Sequence, residues 1–87
     1  MIKVYSINNC KCCEEAKKYL REKNISFEEI NLSAKENREA RKYYRELGIK
    51  IAPIITGVNK KNLEWIIWGF DEDKKCQLDS ILKDLYD

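Results

Sequence analysis

Three consecutive runs at the start of the chain constrain its fold more than any other feature. Met1 to Ile7 (MIKVYSI) is β-branched and aromatic, Lys11 to Lys23 favours helix, and Ile25 to Leu32 (ISFEEINL) again has strand character. Asn8 and Asn9 end the first run, and Asn24 is placed to stop the helix. A strand, helix, strand unit of this length predicts a parallel pair joined by a right-handed crossover. Helical periodicity puts Cys13, Ala16, Tyr19, Leu20 and Lys23 on one side of the first helix. Glu14, Glu15, Lys17 and Lys18 fall largely on the other.

The rest of the chain extends this unit. Ser33 and Glu36 have the spacing of a capping box, in which each side chain satisfies the other's backbone N–H at a helix start. The helix carries Ala40, Tyr43, Tyr44 and Leu47 on one stripe and ends at Gly48, which accepts a left-handed backbone. Ile49 to Thr56 is apolar but contains Pro53, which has no N–H to donate, so the strand is expected to start at the proline. Gly57 to Asn62 reads as a polar turn, and Leu63 to Trp68 alternates, so the two strands form an antiparallel hairpin with Trp65 and Trp68 at its core and rim. Gly69 breaks the pattern. Asp71 to Tyr86 is a last helix with acidic residues in its first turn and a stripe of Leu78, Ile81, Leu82 and Leu85. The predicted order is β-α-β-α-β-β-α, giving an α/β fold with a mixed four-stranded sheet and three helices, and residues 1–87 are read as one domain.

Composition narrows the chemistry. With 87 residues the chain buries only about 60% of the surface it exposes unfolded, so function has to fit a small patch. Seventeen Lys and Arg against fifteen Asp and Glu leave +2, with the signs interleaved, and nucleic acid is not indicated as a partner. No apolar run approaches the ~18 residues of a membrane span, and the first residues lack the pattern of a signal peptide, so a cytoplasmic protein is expected; it is read as a monomer. The absence of His removes Ser-His and Cys-His catalysis and every His-ligated metal site. What remains reactive is sulfur: Cys10, Cys12, Cys13 and Cys76.

Three of these thiols lie within four residues, the wrong spacing for a loop-closing disulfide framework. Cys10 falls at or next to the N-cap of the first helix, where unpaired N–H groups, the helix dipole and the neighbouring Lys11 favour a thiolate. Its pKa is expected below the free value of about 8.5. Cys13, three residues on, is near enough to close a disulfide while being partly covered. Cys10 would then attack an incoming disulfide, and Cys13 would attack Cys10 to release the reduced substrate. The alternative is a module whose thiolates hold a metal ion or an iron–sulfur cluster without turnover, although Cys76 would have to reach a distant cluster. Cys12 either tunes its neighbours or has no dedicated role, and Cys76 reads as a packing or surface residue.

Taken together, Cys10-Lys11-Cys12-Cys13 after a strand, Ala52-Pro53 opening a later strand, and Gly69-Phe70-Asp71 opening the last helix resemble the glutaredoxins and glutaredoxin-like redoxins of the thioredoxin fold. The resemblance implies a cis Pro53 beside the disulfide. It implies that the Ala52 backbone receives an extended thiol peptide as an added strand. The Gly69-Phe70-Asp71 turn would hold the other end, its N–H groups facing a carboxylate and Asp71 facing an amino group. Lys11, Ala52, Pro53, Gly69, Phe70 and Asp71 are thus the expected substrate-facing residues, and Cys10 and Cys13 the catalytic ones. The implied activity is reduction of protein or small-molecule disulfides, with no tightly bound cofactor and no metal, and with electrons from glutathione or from thioredoxin reductase. Three positions depart from the family pattern: Lys11 and Cys12 stand where Pro and Tyr are typical, and Ile7 stands where a Lys is typical. Phe70 resembles the redoxins served by thioredoxin reductase, whereas Asp71 resembles the glutathione users.

Overall fold

The computed structural model describes residues 2–86, so Met1, read as part of the first strand, lies outside them. The elements are β1 (Ile2–Ser6), α1 (Lys11–Glu22), β2 (Phe27–Asn31), α2 (Arg38–Glu46), β3 (Ile54–Val58), β4 (Glu64–Trp68) and α3 (Glu72–Tyr86), with a single 3-10 turn at Lys35–Asn37 ahead of α2. The order matches the sequence reading. The sheet runs β2-β1-β3-β4, with β1 parallel to β2, and both β1–β3 and β3–β4 antiparallel. No helix among the described residues is long and apolar enough to cross a membrane.

The two-residue alternation of strands divides the core in two. Val4, Ile55 and Ile67 stand opposite one another in register, and they pack with Leu20 and Ala16 of α1 and Leu78 and Leu82 of α3. Tyr5 and Ile54, one residue along, face the other side with Ile66 and meet Tyr44 of α2 and Leu32. Two helices therefore cover one face and one covers the other, each buried Leu or Ile contributing about 1.5–3 kcal/mol. Asn24 and Gly48, with φ of 57° and 84°, terminate α1 and α2 as their positions predict.

Several local expectations fail for identifiable reasons. The Ser33–Glu36 capping box does not form: the Ser33 hydroxyl accepts the Asn8 N–H at 3.1 Å, and neither Ala34 nor Asn37, the N-caps that open the 3-10 turn and α2, makes a side-chain cap bond. Asn37 instead donates from Nδ2 to the Asn31 carbonyl at 2.8 Å, tying the connection to β2. Tyr43 and Leu47 are exposed, because α2 packs its single flank through Tyr44 and Ala40. Gly57 lies inside β3 and not in a turn, paired with Trp65, and a side chain there would overlap the indole ring. Lys23, placed on the core side, caps α1 at the surface and pairs with Asp79 at 3.3 Å. Lys17, placed on the solvent side, is buried.

Candidate active site

β1 runs out at Ser6 into a three-residue connection that is tied down before it reaches Cys10. Asn9 adopts a left-handed φ of 56°, and the Asn31 amide at the end of β2 donates to Asn8 Oδ1 at 2.9 Å. With the Asn8–Ser33 bond, these contacts fix Cys10 as the N-cap of α1 in an extended conformation. Its sulfur accepts the Cys13 N–H at 3.1 Å, one of the helix-start donors that would otherwise lack a partner.

Cys10 and Cys13 are joined in a disulfide, with Cα atoms 5.2 Å apart. Cys13 is 1% exposed within the core side of α1, whereas Cys10 is partly open to solvent. Lys11 and Cys12, the intervening residues, are exposed, and Cys12 and Cys76 are both free thiols. Among the described residues no three Cys, Asp or Glu side chains converge in a metal-holding arrangement.

Sheet register brings Ala52, Pro53 and Gly69 to the same end, while Phe70 and Asp71 line a separate depression against Glu15, Lys18, Tyr19 and Glu22 of α1. Tyr5 pairs with Ile54, so the start of β3 lies beside the end of β1 from which Cys10 departs. Ile54 is the first ladder residue, directly after a cis Ala52–Pro53 bond. Pro53 is buried and Ala52 half-buried. The Pro53 carbonyl accepts the Gly69 N–H at 2.8 Å, extending the β3–β4 ladder by one bond, and Gly69 then turns with φ of 80°. Phe70 is half-buried, its ring 5.7 Å from that of Tyr19 on α1. Asp71 Oδ1 accepts the Lys74 N–H at 2.9 Å, so one of its oxygens caps α3, a duty the sequence reading did not assign to it.

The charged neighbourhood of Cys10 holds a feature that periodicity hid. A cleft beside Cys10 is lined by Ser6, Asn8, Glu14, Glu29 and Asn31. The Lys17 ammonium donates to Glu14 at 2.8 Å and to Glu29 at 2.7 Å, and the Ser6 hydroxyl donates to the same Glu29 oxygen at 3.0 Å. One cation thus offsets two carboxylates that would otherwise disfavour an anion in this cleft. The only sequence signal is the i,i+3 spacing of Glu14 and Lys17, because Glu29 comes from another strand.

Hydrogen bonds from Lys17 to Glu14 and then Glu29 hold its pKa above the ordinary 10.5, and the Lys17 bond holds the Glu29 carboxyl below 4.5. Glu29 therefore stabilises the fold fully above pH 4.5, and that contribution disappears as pH falls through its lowered value. Lys17 contributes fully below pH 10.5 and loses its contribution as pH rises through its raised value. Lys17→Met is expected to flatten both limbs of a urea-stability profile against pH and to lower the plateau by about 1 kcal/mol. The loss is small because the Glu29 side chain is 40% exposed. A profile unchanged in both limbs would show that the pair contributes nothing.

Comparison with known proteins adds an independent line. The glutaredoxin family model matches residues 2–61. A glutaredoxin-like 8.6 kDa protein of the rubredoxin operon in Clostridium pasteurianum is 36% identical over 73 residues, covering 77% of this chain and 97% of that protein. The glutaredoxin-like protein NrdH of Lactococcus lactis is 45% identical over 56 residues, covering 64% of this chain and 75% of its own length. Among solved structures, the NrdH-redoxin of Escherichia coli, described as a glutaredoxin-like protein with a thioredoxin-like activity profile, superposes with a TM-score of 0.69. It is 27% identical, and the match covers 88% of this chain and 92% of that one.

Proposed function

Since this chain belongs to the glutaredoxin family and its thiol–disulfide redox chemistry follows from that membership, we propose that it is a dithiol disulfide reductase, with Cys10 as nucleophile and Cys13 as resolving thiol. The observation that carries this reading is the Cys10–Cys13 bond at the start of α1, with the first sulfur partly open and the second buried. The Cys10 thiolate attacks one sulfur of the substrate disulfide, forming a mixed disulfide as the other substrate sulfur leaves as a thiolate and takes a proton from water. Cys13, once deprotonated, attacks the Cys10 sulfur and expels the second substrate thiol. Two electrons pass to the substrate, and the protein keeps its internal disulfide until a reductant returns them.

The Cys13 N–H aimed at Cys10 and the N-terminus of α1 support a depressed Cys10 pKa. Ala52 offers its backbone to the substrate beside Pro53, the Gly69–Phe70 turn receives the far end, Asp71 meets an amino group there, and Lys11 flanks the reactive sulfur. We take thioredoxin reductase, and not glutathione, as the electron source. Phe70 and the apolar, exposed Ile7 support this choice, as does the thioredoxin-like profile of the structural relative.

The test is NADPH oxidation with a small uncharged disulfide, run with thioredoxin reductase alone and in parallel with glutathione plus glutathione reductase. Turnover in the first arm is expected. Turnover confined to the glutathione arm would reverse the assignment of the reductant, and silence in both would move the site to the thiolate-binding reading.

A further inference from the structure

We propose that α2 and the segment entering β3 form an electropositive dock for protein substrates, and that the preferred partner carries acidic residues on one flank of its reactive cysteine. The proposal deepens the disulfide-reductase reading and rests on it. A cavity of about 340 Å³ opens on the Ala52 side of the sheet end and is walled by Ile7, Ser33, Arg41, Arg45, Lys50 and Ala52. Buried Leu32 and Ile54 form its apolar floor, while Ile7 and Ile51 are exposed at 44% and 59%. The backbone that would pair with the substrate is therefore continuous with a groove offering both apolar contact and positive charge.

The charge does not stop at this cavity. A second depression shares Arg41 and Arg45 and continues past Arg38, Lys42 and Lys35. Residues 35–50 hold six cations against three carboxylates, a net +3, while the whole chain is only +2. Among the described residues none of these six cations is engaged in an ion pair. Arg38, Arg41 and Arg45 have the spacing of one helical face, and at 1.5 Å per residue they extend about 10 Å along α2. Guanidinium groups in such a row match successive carboxylates. Glutathione has a single residue on each side of its cysteine and so cannot set successive carboxylates along this row, whereas an acidic peptide segment can.

The opposite side of the disulfide has the other sign. Asp71, Glu72 and Asp73 open α3 next to the Gly69–Phe70 turn, followed by Lys74 and Lys75. The depression there sets four carboxylates, Glu15, Glu22, Asp71 and Glu72, against the two cations Lys18 and Lys75. The site is thus bracketed by a negative and a positive side, which sets how a charged peptide can lie across it: acidic flank toward α2, never toward α3.

The experiment uses three synthetic disulfide peptides, identical except for three residues on one side of the cysteine, which are Asp/Glu, Gln or Lys. The expected result with the wild-type protein at low salt is a kcat/KM about tenfold higher for the acidic than for the glutamine peptide, expressed in KM, with the lysine peptide slowest. Raising salt to 0.5 M should shrink the ratio, as screened surface charges require. In Arg41→Gln/Arg45→Gln/Lys50→Gln the acidic-to-lysine ratio should collapse toward one, with circular dichroism confirming the fold. Equal turnover of the three peptides by the wild type, preference for lysine, or glutathione disulfide outcompeting the acidic peptide would overturn the dock. No turnover of any peptide would sink the reductase reading, and the dock with it.

Discussion

Cys10→Ser should lower disulfide reductase kcat/KM by on the order of a thousandfold or more, the largest effect expected of any single substitution in this protein. A serine hydroxyl stays protonated where a thiol at a helix start ionises, so the group that must attack sulfur is lost. Cys13→Ser leaves that first step intact and removes the second. Mass spectrometry should find the Cys13→Ser protein carrying one substrate molecule on Cys10, because Cys13 is the buried partner that would have released it. Cys12→Ser is the control for a third nearby thiol: Cys12 is free and exposed, and its loss should leave turnover within about twofold of wild type. In the reduced protein, the pH midpoint of Cys10 alkylation by iodoacetamide should fall below about 8.5. Full activity in Cys10→Ser would remove the nucleophile assignment. Failure to trap substrate on Cys13→Ser would remove the two-thiol mechanism.

The place of Cys10 at a helix start is legible in the sequence because the signal is local. A thiol gains its reactivity from the helix start it caps, and both the strand that stops ahead of Asn8 and the helix starting at Lys11 can be read from composition. The placing of Pro53 and Gly69 at the sheet end from which Cys10 departs is less local: it requires β3 to lie antiparallel beside β1, which the order of elements permits but does not compel. The resemblance to a known family supplied that expectation.

What stayed hidden depends on tertiary partners. Lys17 is buried because Glu29 on β2 accepts its charge, and periodicity applied to α1 alone assigns it to solvent. Ser33 had the right neighbours for a capping box, but Asn8, 25 residues away, uses its hydroxyl. Gly57 looked like a turn residue because strands disfavour glycine, and only the cross-strand Trp65 explains why a side chain is excluded there.

Leu20→Ala should produce the largest stability loss, about 2–5 kcal/mol, a sizeable part of the roughly 5–15 kcal/mol that holds a domain together. Leu20 has no exposed surface and sits where α1 meets Val4, Ile55 and Leu78, so its removal leaves a gap that the sheet and α3 cannot both close. Alanine is the better helix former, so the loss cannot be charged to helix propensity and reports packing alone. Lys18→Ala, two residues earlier on the same helix, makes the contrast. Its ion pair with Glu22 spans 3.9 Å between side chains 77% and 65% exposed, and its loss should stay within about 0.5 kcal/mol. Urea melts of both variants with the Cys10–Cys13 bond intact separate the two contributions, since the cross-link then constrains each unfolded state alike. Similar midpoints for Leu20→Ala and Lys18→Ala would mean that α1 is not seated through its apolar face. The geometry that holds Cys13 beneath Cys10 would then need another explanation.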